Sequence, residues 1–201
     1  MAKRLVDLVF AVGGLLLLSP LLLLTALAIR LDSPGPVFFR QERVGRHGRP
    51  FRIHKFRTMV ADAPLLGPAL TVGDDARITR VGRWLRERRL DELPQLIDVL
   101  RGDMSVVGPR PELPRYVAQY PSALRERVLA VRPGITDPAS LAHLDESALL
   151  ARAADPEREY VEVVLPRKLQ LAADYADRAS TATDLGVLWR SVKLLLGSGK
   201  R

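Results

Sequence analysis

The chain of 201 residues contains no cysteine, which excludes a disulfide framework and any cysteine-ligated zinc site. Histidine is scarce as well: His47, His54 and His143 fall at no metal-ligating spacing and read as surface or packing residues. No internal repeat divides the chain. Helix-turn-helix, zinc-finger and RNA-binding aromatic signatures are all missing, so no nucleic acid is expected as a partner. The longest absence is of charge. Residues 8–29 carry none, and with Leu15 to Leu18 and Leu21 to Leu24 among them they are apolar enough to cross a bilayer core as a helix.

What the chain does have is a hydrophobic content of 47% and a net charge of +8, which predict one sizeable core and a polyanionic partner. With nucleic acid set aside, anionic lipid and phosphorylated substrates remain. A cleaved signal peptide is disfavoured: Lys3-Arg4 and Ala26-Leu27-Ala28 mimic its two ends, but the apolar run is too long and Asp7 sits awkwardly in it. Ser19-Pro20 falls at the middle of the run, where proline deletes a backbone hydrogen bond and predicts a kink. Lys3 and Arg4 precede the run while Arg30, Arg40, Arg43 and Arg46 follow it, so the positive-inside tendency draws both ends toward the cytoplasm. A kinked spanning helix and a re-entrant one both fit these residues.

The turn cluster Asp32-Ser33-Pro34-Gly35-Pro36 marks a boundary, giving residues 1–31 to the membrane helix and 32–201 to a catalytic domain. Residues 37–44 and 50–60 around Gly45-Arg46-His47-Gly48 predict a β-hairpin, whose second arm presents Lys55 and Arg57 on one face by its period of two. An irregular loop able to act as a lid is expected over 61–75. Over 78–90, Ile78, Val81 and Leu85 at helical spacing among Arg80, Arg83, Arg86 and Arg88 predict a basic amphipathic helix edged by Trp84. It could lie on a membrane interface or turn its apolar face to the core. A further helix is expected from Glu92 to Arg101, with Asp91 as N-cap and Gly102 as stop, and others over 121–131, 155–176 and 184–196.

The segment Leu90-Asp91-Glu92-Leu93-Pro94-Gln95-Leu96 is the most informative, because it sets adjacent carboxylates at a helix start. The helix end should keep Asp91 ionised, as a nucleophile or metal ligand requires, although Asp and Glu there are also ordinary capping residues. The surrounding cations tip the balance: Lys55, Arg57, Arg77, Arg88, Arg89 and Arg110 exceed what two carboxylates need. Arg110, held between Pro109 and Pro111, has little backbone freedom to lose on binding an oxyanion. Diphosphate with a divalent metal fits such a set.

Five motifs in order carry a resemblance over nearly the whole chain: Ser33-Pro34-Gly35-Pro36-Val37-Phe38-Phe39, Lys55-Phe56-Arg57-Thr58-Met59, Leu90 to Leu96, Gly102-Asp103-Met104-Ser105-Val106-Val107-Gly108-Pro109-Arg110-Pro111 and Pro133-Gly134-Ile135-Thr136. Together they resemble the bacterial sugar transferases, the monotopic phosphoglycosyl transferases, in a small stand-alone catalytic form. The resemblance implies a mainly helical α+β fold at the inner membrane. A re-entrant helix broken at Ser19-Pro20, a small β-hairpin and interfacial helices would surround one cytoplasmic catalytic domain. It also implies transfer of a sugar-1-phosphate from a nucleotide diphosphate sugar, usually a UDP-sugar, to polyprenyl phosphate such as undecaprenyl phosphate. On this reading Asp91 is the nucleophile, Asp91 and Glu92 hold Mg2+, and Lys55, Arg57, Arg88 and Arg110 bind substrate phosphates. Membrane lipid is an expected partner and a homodimer is left open.

Two positions depart from the family pattern. Asp137-Pro138-Ala139-Ser140-Leu141-Ala142-His143-Leu144 follows Thr136, which puts Leu144 where the family often carries a functional arginine, and Ala172 stands where many members have an aspartate. Altered nucleotide or sugar recognition is the expected consequence. The competing class is a membrane-anchored protein that binds anionic lipid or a partner without catalysis, and a third is a conventional glycosyltransferase releasing UDP.

Overall fold

Pro20 has no N–H to offer the carbonyl of Leu16 four residues back, and the Ser19 hydroxyl donates to that carbonyl instead, at 2.8 Å. In the computed structural model, which describes residues 2–68, 70–71, 73, 75–137 and 146–197, the N-terminal run therefore forms two helices. These are α1 (Ala2–Leu17) and α2 (Ser19–Asp32), bent by 63°. Each is under about 25 Å long at 1.5 Å per residue, against roughly 30 Å of bilayer hydrocarbon. Among the described residues no single helix is long and apolar enough to cross a membrane; the bent pair together has the length and composition.

Both ends of this pair are tied to the rest of the protein. Strands β1 (Phe38–Val44) and β2 (Pro50–Phe56) pair antiparallel with Phe38 opposite Phe56 and Val44 opposite Pro50. The hairpin reverses through His47 and Gly48, both at positive φ. After the short α3 (Ala63–Leu66), which gives the expected 61–75 loop one helical turn, comes α4 (Arg80–Glu87). It is shorter than the predicted 78–90 helix because Thr79 caps it, accepting the Gly82 N–H at 3.0 Å, and the chain reverses at Arg89 with φ 54°.

That reversal also corrects the reading of the dyad helix. Asp91 is not an N-cap: residues Leu90–Gln95 form a 3-10 segment with Pro94 inside it, and the α-helix proper, α5 (Leu96–Arg101), starts later and ends at Gly102 with φ 90°. Proline cannot donate to the preceding turn, which favours the tighter, shorter helix over the stretch carrying the two carboxylates.

Strand β3 (Ser105–Val107) then leads through α6 (Pro114–Val117) and α7 (Ser122–Leu129) to β4 (Gly134–Thr136), which pairs with β3 in parallel. Past residue 145 lie α8 (Glu146–Arg152) and α9 (Pro156–Glu159). A π-turn over Tyr160–Val164, α10 (Leu165–Arg178) and α11 (Thr181–Gly197) complete a mainly helical α+β fold. The largest core cluster joins Val44, Tyr116, Tyr120, Val128, Tyr160, Leu165 and Leu169. A second packs Ala11 of α1 on Ile53, Val99 and Met104, and a third packs Ile29 of α2 on Phe56 and Leu85.

The two glycines of the β3–β4 crossing are there for close approach. A methyl group on Gly108 would lie 2.4 Å from the Arg132 carbonyl oxygen, and one on Gly134 would lie 2.0 Å from the Gly108 nitrogen. Gly108→Ala should therefore lower stability by about 3 kcal/mol, seen as a fall of several degrees in Tm; an unchanged Tm would disprove the close crossing.

Candidate active site

Three separate segments meet at the carboxylate of Glu92. Lys55, next to last in β2, donates to Glu92 Oε1 at 2.6 Å, and Arg110 Nη2 donates to the same oxygen at 2.5 Å. Glu92 Oε2 has only a 3.4 Å contact with Arg110 Nη1. Burial opposes the Glu92 charge, yet Arg110 and Lys55 outweigh it and hold this carboxyl well below the usual carboxylate range. The Glu92 charge raises Arg110, while burial lowers Lys55 and outweighs the pull of Glu92.

Asp91 lies beside this trio and differs from it. Its half-buried carboxylate makes no hydrogen bond or ion pair among the described residues. Burial pushes the Asp91 carboxyl above its ordinary value; Lys55 pulls it down, Glu92 pushes it up, and Arg86 and Arg110 pull it down. The helix-end argument, which favoured the charged form, is thus outweighed by desolvation, and the cations nearby supply the opposing field.

Arg86 is the member the sequence reading passed over. It donates to the Thr58 hydroxyl at 2.8 Å and feels the charge of Asp91. Its signal was Gly82: a methyl group there would meet the Thr58 carbonyl oxygen at 2.0 Å, so α4 presses on the chain after β2, and Arg86, one turn on, shares that face.

Two expected phosphate ligands are not brought to the dyad. Arg57 is 5% exposed, and its guanidinium donates to Ser33 Oγ at 2.6 Å, the Ser33 carbonyl at 2.9 Å and the Pro36 carbonyl at 2.6 Å. It closes the turn leaving α2, so Lys55 and Arg57 share a strand face without sharing a partner. Arg88 is half exposed, stacked over Trp84 with its guanidinium carbon 4.8 Å from the ring and within 3.4 Å of Glu87. Arg77 is taken by Asp75 at 2.6 Å. His54 is buried against Asp98, a packing position and not a surface one.

Arg110 is fixed from behind. The Pro109 carbonyl accepts Gly134 N–H at 2.9 Å, and the Pro111 carbonyl accepts Arg43 Nη1 at 3.1 Å. Glu112, buried, accepts from the Tyr160 hydroxyl at 2.7 Å and Lys168 Nζ at 3.0 Å. Ala172 lines a cavity of about 20 Å³ together with Arg110, Glu112, Asp137 and Lys168, while Leu144 and His143 lie outside the described residues.

Among the described residues no group of three or more His, Asp or Glu side chains forms a ready-made metal cage. The donor set does suit a hard cation that keeps waters and shares substrate phosphates: among the described residues both Asp91 carboxylate oxygens lack a hydrogen-bond partner, and Glu92 Oε2 has only the long 3.4 Å contact with Arg110.

A buried carboxylate held by two cations, a neighbour without a hydrogen-bond partner among the described residues and a rigid arginine are an arrangement suited to phosphate groups, in a mainly helical protein with an apolar bent helix pair. The chain belongs to the bacterial sugar transferase family, whose profile matches residues 1–198. It is 43% identical over 198 residues to the UDP-glucose:undecaprenyl-phosphate glucose-1-phosphate transferase of Caulobacter vibrioides, covering 96% of this chain and 69% of that protein. It is 46% identical over 145 residues to the UDP-N-acetylgalactosamine-undecaprenyl-phosphate N-acetylgalactosaminephosphotransferase of Aeromonas hydrophila, covering 70% of this chain and 34% of that protein. With the UDP-glucose:undecaprenyl-phosphate glucose-1-phosphate transferase of Escherichia coli it is 46% identical over 136 residues, 67% of this chain and 29% of that protein. The chain thus spans about a third of the length of the last two.

Glu112 gives the Arg110 support a pH signature. Burial works against its charge, but Lys168, Tyr160 and Arg43 hold its carboxyl below the ordinary 4.5. A lowered native value means the stabilisation is complete above the unfolded-chain value and is lost as pH falls through the native one. Glu112→Gln should cost about 2 kcal/mol at pH 7, and its Tm deficit against wild type should shrink in acid; a deficit independent of pH would remove this role.

Proposed function

We propose that the protein is a polyprenyl-phosphate sugar-1-phosphate transferase that works through a covalent aspartyl intermediate. The observation that carries this reading is the divergence within the dyad: Glu92 Oε1 is held by both Lys55 and Arg110, while Asp91 beside it has no hydrogen-bond or ion-pair partner among the described residues. A carboxylate with a free lone pair can attack; one bound by two cations serves to set the field.

In the proposed sequence an Asp91 oxygen attacks the sugar-linked phosphorus of a UDP-sugar. The bond from that phosphorus to the bridging oxygen breaks, and UMP leaves with the bond's electron pair. A phosphate oxygen of undecaprenyl phosphate then attacks the aspartyl phosphosugar, which returns the Asp91 carboxylate and yields polyprenyl diphosphate sugar. Arg110 and Lys55, both already oriented by Glu92, would face the phosphate oxygens as charge redistributes in each step. Asp91 and Glu92 are the residues that would hold magnesium, which when bound would supply positive charge against the diphosphate. The relatives named for UDP-sugar and undecaprenyl-phosphate substrates support the choice of donor and acceptor class.

The bent pair α1–α2 fits a re-entrant anchor in the inner membrane with the domain on the cytoplasmic face. Leu5, Val9, Leu16, Leu17, Leu23 and Leu31 project without protein cover, at 63–81% exposure. At the other extreme, Lys3 donates to the Val107 carbonyl and pairs with Asp184, Arg4 donates to the Val99 carbonyl, and Asp32 accepts from Val81. Contacts from both ends of the pair to the same domain support a reading in which the anchor begins and finishes on one side of the bilayer.

Asp91→Asn should abolish UMP release from UDP-sugar in the presence of undecaprenyl phosphate and magnesium, and should block capture of a radiolabelled sugar phosphate on the protein. Full UMP release by that variant would refute the nucleophile, and no release by wild type would favour a non-catalytic lipid-binding protein. Because the chain has no cysteine, Ala2→Cys and Arg49→Cys report topology cleanly. Both should react with an impermeant thiol reagent only from the cytoplasmic face, and labelling from opposite faces would rule out re-entrance.

A further inference from the structure

Lys55 has a long flexible stem, so contact with Glu92 alone does not fix where its ammonium stands. The residue before it is anchored far more rigidly. His54 is 5% exposed and Asp98 is 1% exposed, and the main-chain N–H and ring Nδ1 of His54 both meet that one carboxylate. The His54 main-chain N–H donates to Asp98 Oδ2 at 2.8 Å, and ring Nδ1 lies 2.5 Å from Oδ1. An ionised carboxylate can only accept, so Nδ1–H facing Asp98 Oδ1 is the arrangement that makes this contact a hydrogen bond. Phe38 closes a third side with its ring 6.3 Å away at 85°.

The location gives this clamp its meaning. Asp98 sits on α5, which continues directly from the segment carrying Asp91 and Glu92, while His54 immediately precedes Lys55 on β2. Among the described residues, the side-chain hydrogen bonds that join β2 to this helical stretch are those of Asp98 with His54 and Glu92 with Lys55. The first is buried and bidentate; the second is the contact that chemistry uses.

We propose that Asp98, acting through His54, is a positioning residue that fixes Lys55 against Glu92 and thereby places the cations that receive the substrate phosphates. The inference rests on the phosphoryl-transfer reading of the dyad. It makes Asp98 more than a core polar group: with the clamp gone, the strand can shift by a fraction of an ångström without unfolding, and Lys55 would follow it.

The test is a double-substitution cycle on the full chain in detergent, with UMP release from UDP-glucose or UDP-N-acetylgalactosamine to undecaprenyl phosphate as the readout and Tm recorded alongside. Asp98→Leu should lower kcat by about 10- to 100-fold. Asp98→Asn can still accept the main-chain N–H and face the ring with its amide, and should stay within about threefold of wild type. In a Lys55→Met background, Asp98→Leu should cost no more than about twofold further, because the residue it positions is already gone. If Asp98→Leu does not fold, His54→Phe, which removes the ring contact and leaves the main-chain bond, takes its place in the cycle. Losses that multiply, or wild-type kcat in Asp98→Leu (or in His54→Phe where that takes its place), overturn the inference while leaving the transferase reading intact. Absence of wild-type turnover with both donors overturns that reading and this inference with it.

Discussion

One carboxylate oxygen, Glu92 Oε1, accepts hydrogen bonds from Lys55 and Arg110 together, and the architecture of the site follows from that shared acceptor. The three residues come from β2, the 3-10 segment and the Pro109-Arg110-Pro111 loop, so a local ionic contact fixes three pieces of chain that are distant in sequence. Burying a charge is costly unless it is paired and hydrogen-bonded, and here each member of the trio is the reason the others can be buried. Lys55 and Arg110 together balance Glu92 and the neighbouring Asp91, and Arg86, which also feels the charge of Asp91, is the cation in excess at the dyad.

Adjacent carboxylates rarely behave alike when their surroundings differ, and Asp91 and Glu92 show this in one dipeptide. Burial acts against the charge of both. Glu92 has direct partners that overcome it, while Asp91 has only the field of cations that do not touch it, and is pushed the other way. Environments that drive two neighbouring acids apart leave them chemically distinct, and the proposed roles follow that difference, with Glu92 organising and Asp91 reacting.

Much of this was readable in the sequence because it lies in residue types at fixed spacing. The hairpin, the kink at Ser19-Pro20, the stop at Gly102 and the helices beyond residue 155 came from periodicity and turn residues, and Lys55, Asp91, Glu92 and Arg110 from charge in an unusual setting. What escaped was what depends on where side chains travel after the backbone is set. Arg57 follows Lys55 by two residues and should share its duty, yet the free carbonyls at the end of α2 and the turn after it claim its guanidinium. Arg86 looked like one of several solvated arginines on a basic helix until Gly82 brought that face against Thr58. Pattern gives the face of an element, and packing decides which of its long side chains finds a partner.

Asp7 shows how the anchor and the site are one mechanical unit. An aspartate in a run of apolar residues looks like a defect in a membrane helix, and in isolation it would be. In the fold it is 3% exposed, accepting from the Ser105 hydroxyl at 2.9 Å and the Val106 N–H at 3.0 Å. Val106 is the middle residue of β3, which leads within four residues to Arg110. The same α1 that presents Leu5 and Val9 outward therefore holds the strand that leads into the loop carrying Arg110. At the far end, Arg57 ties the exit of α2 to the strand that carries Lys55. Each of the two cations on Glu92 is thus connected to one end of the bent helix pair, so a movement of either helix would be felt where Lys55 and Arg110 meet Glu92.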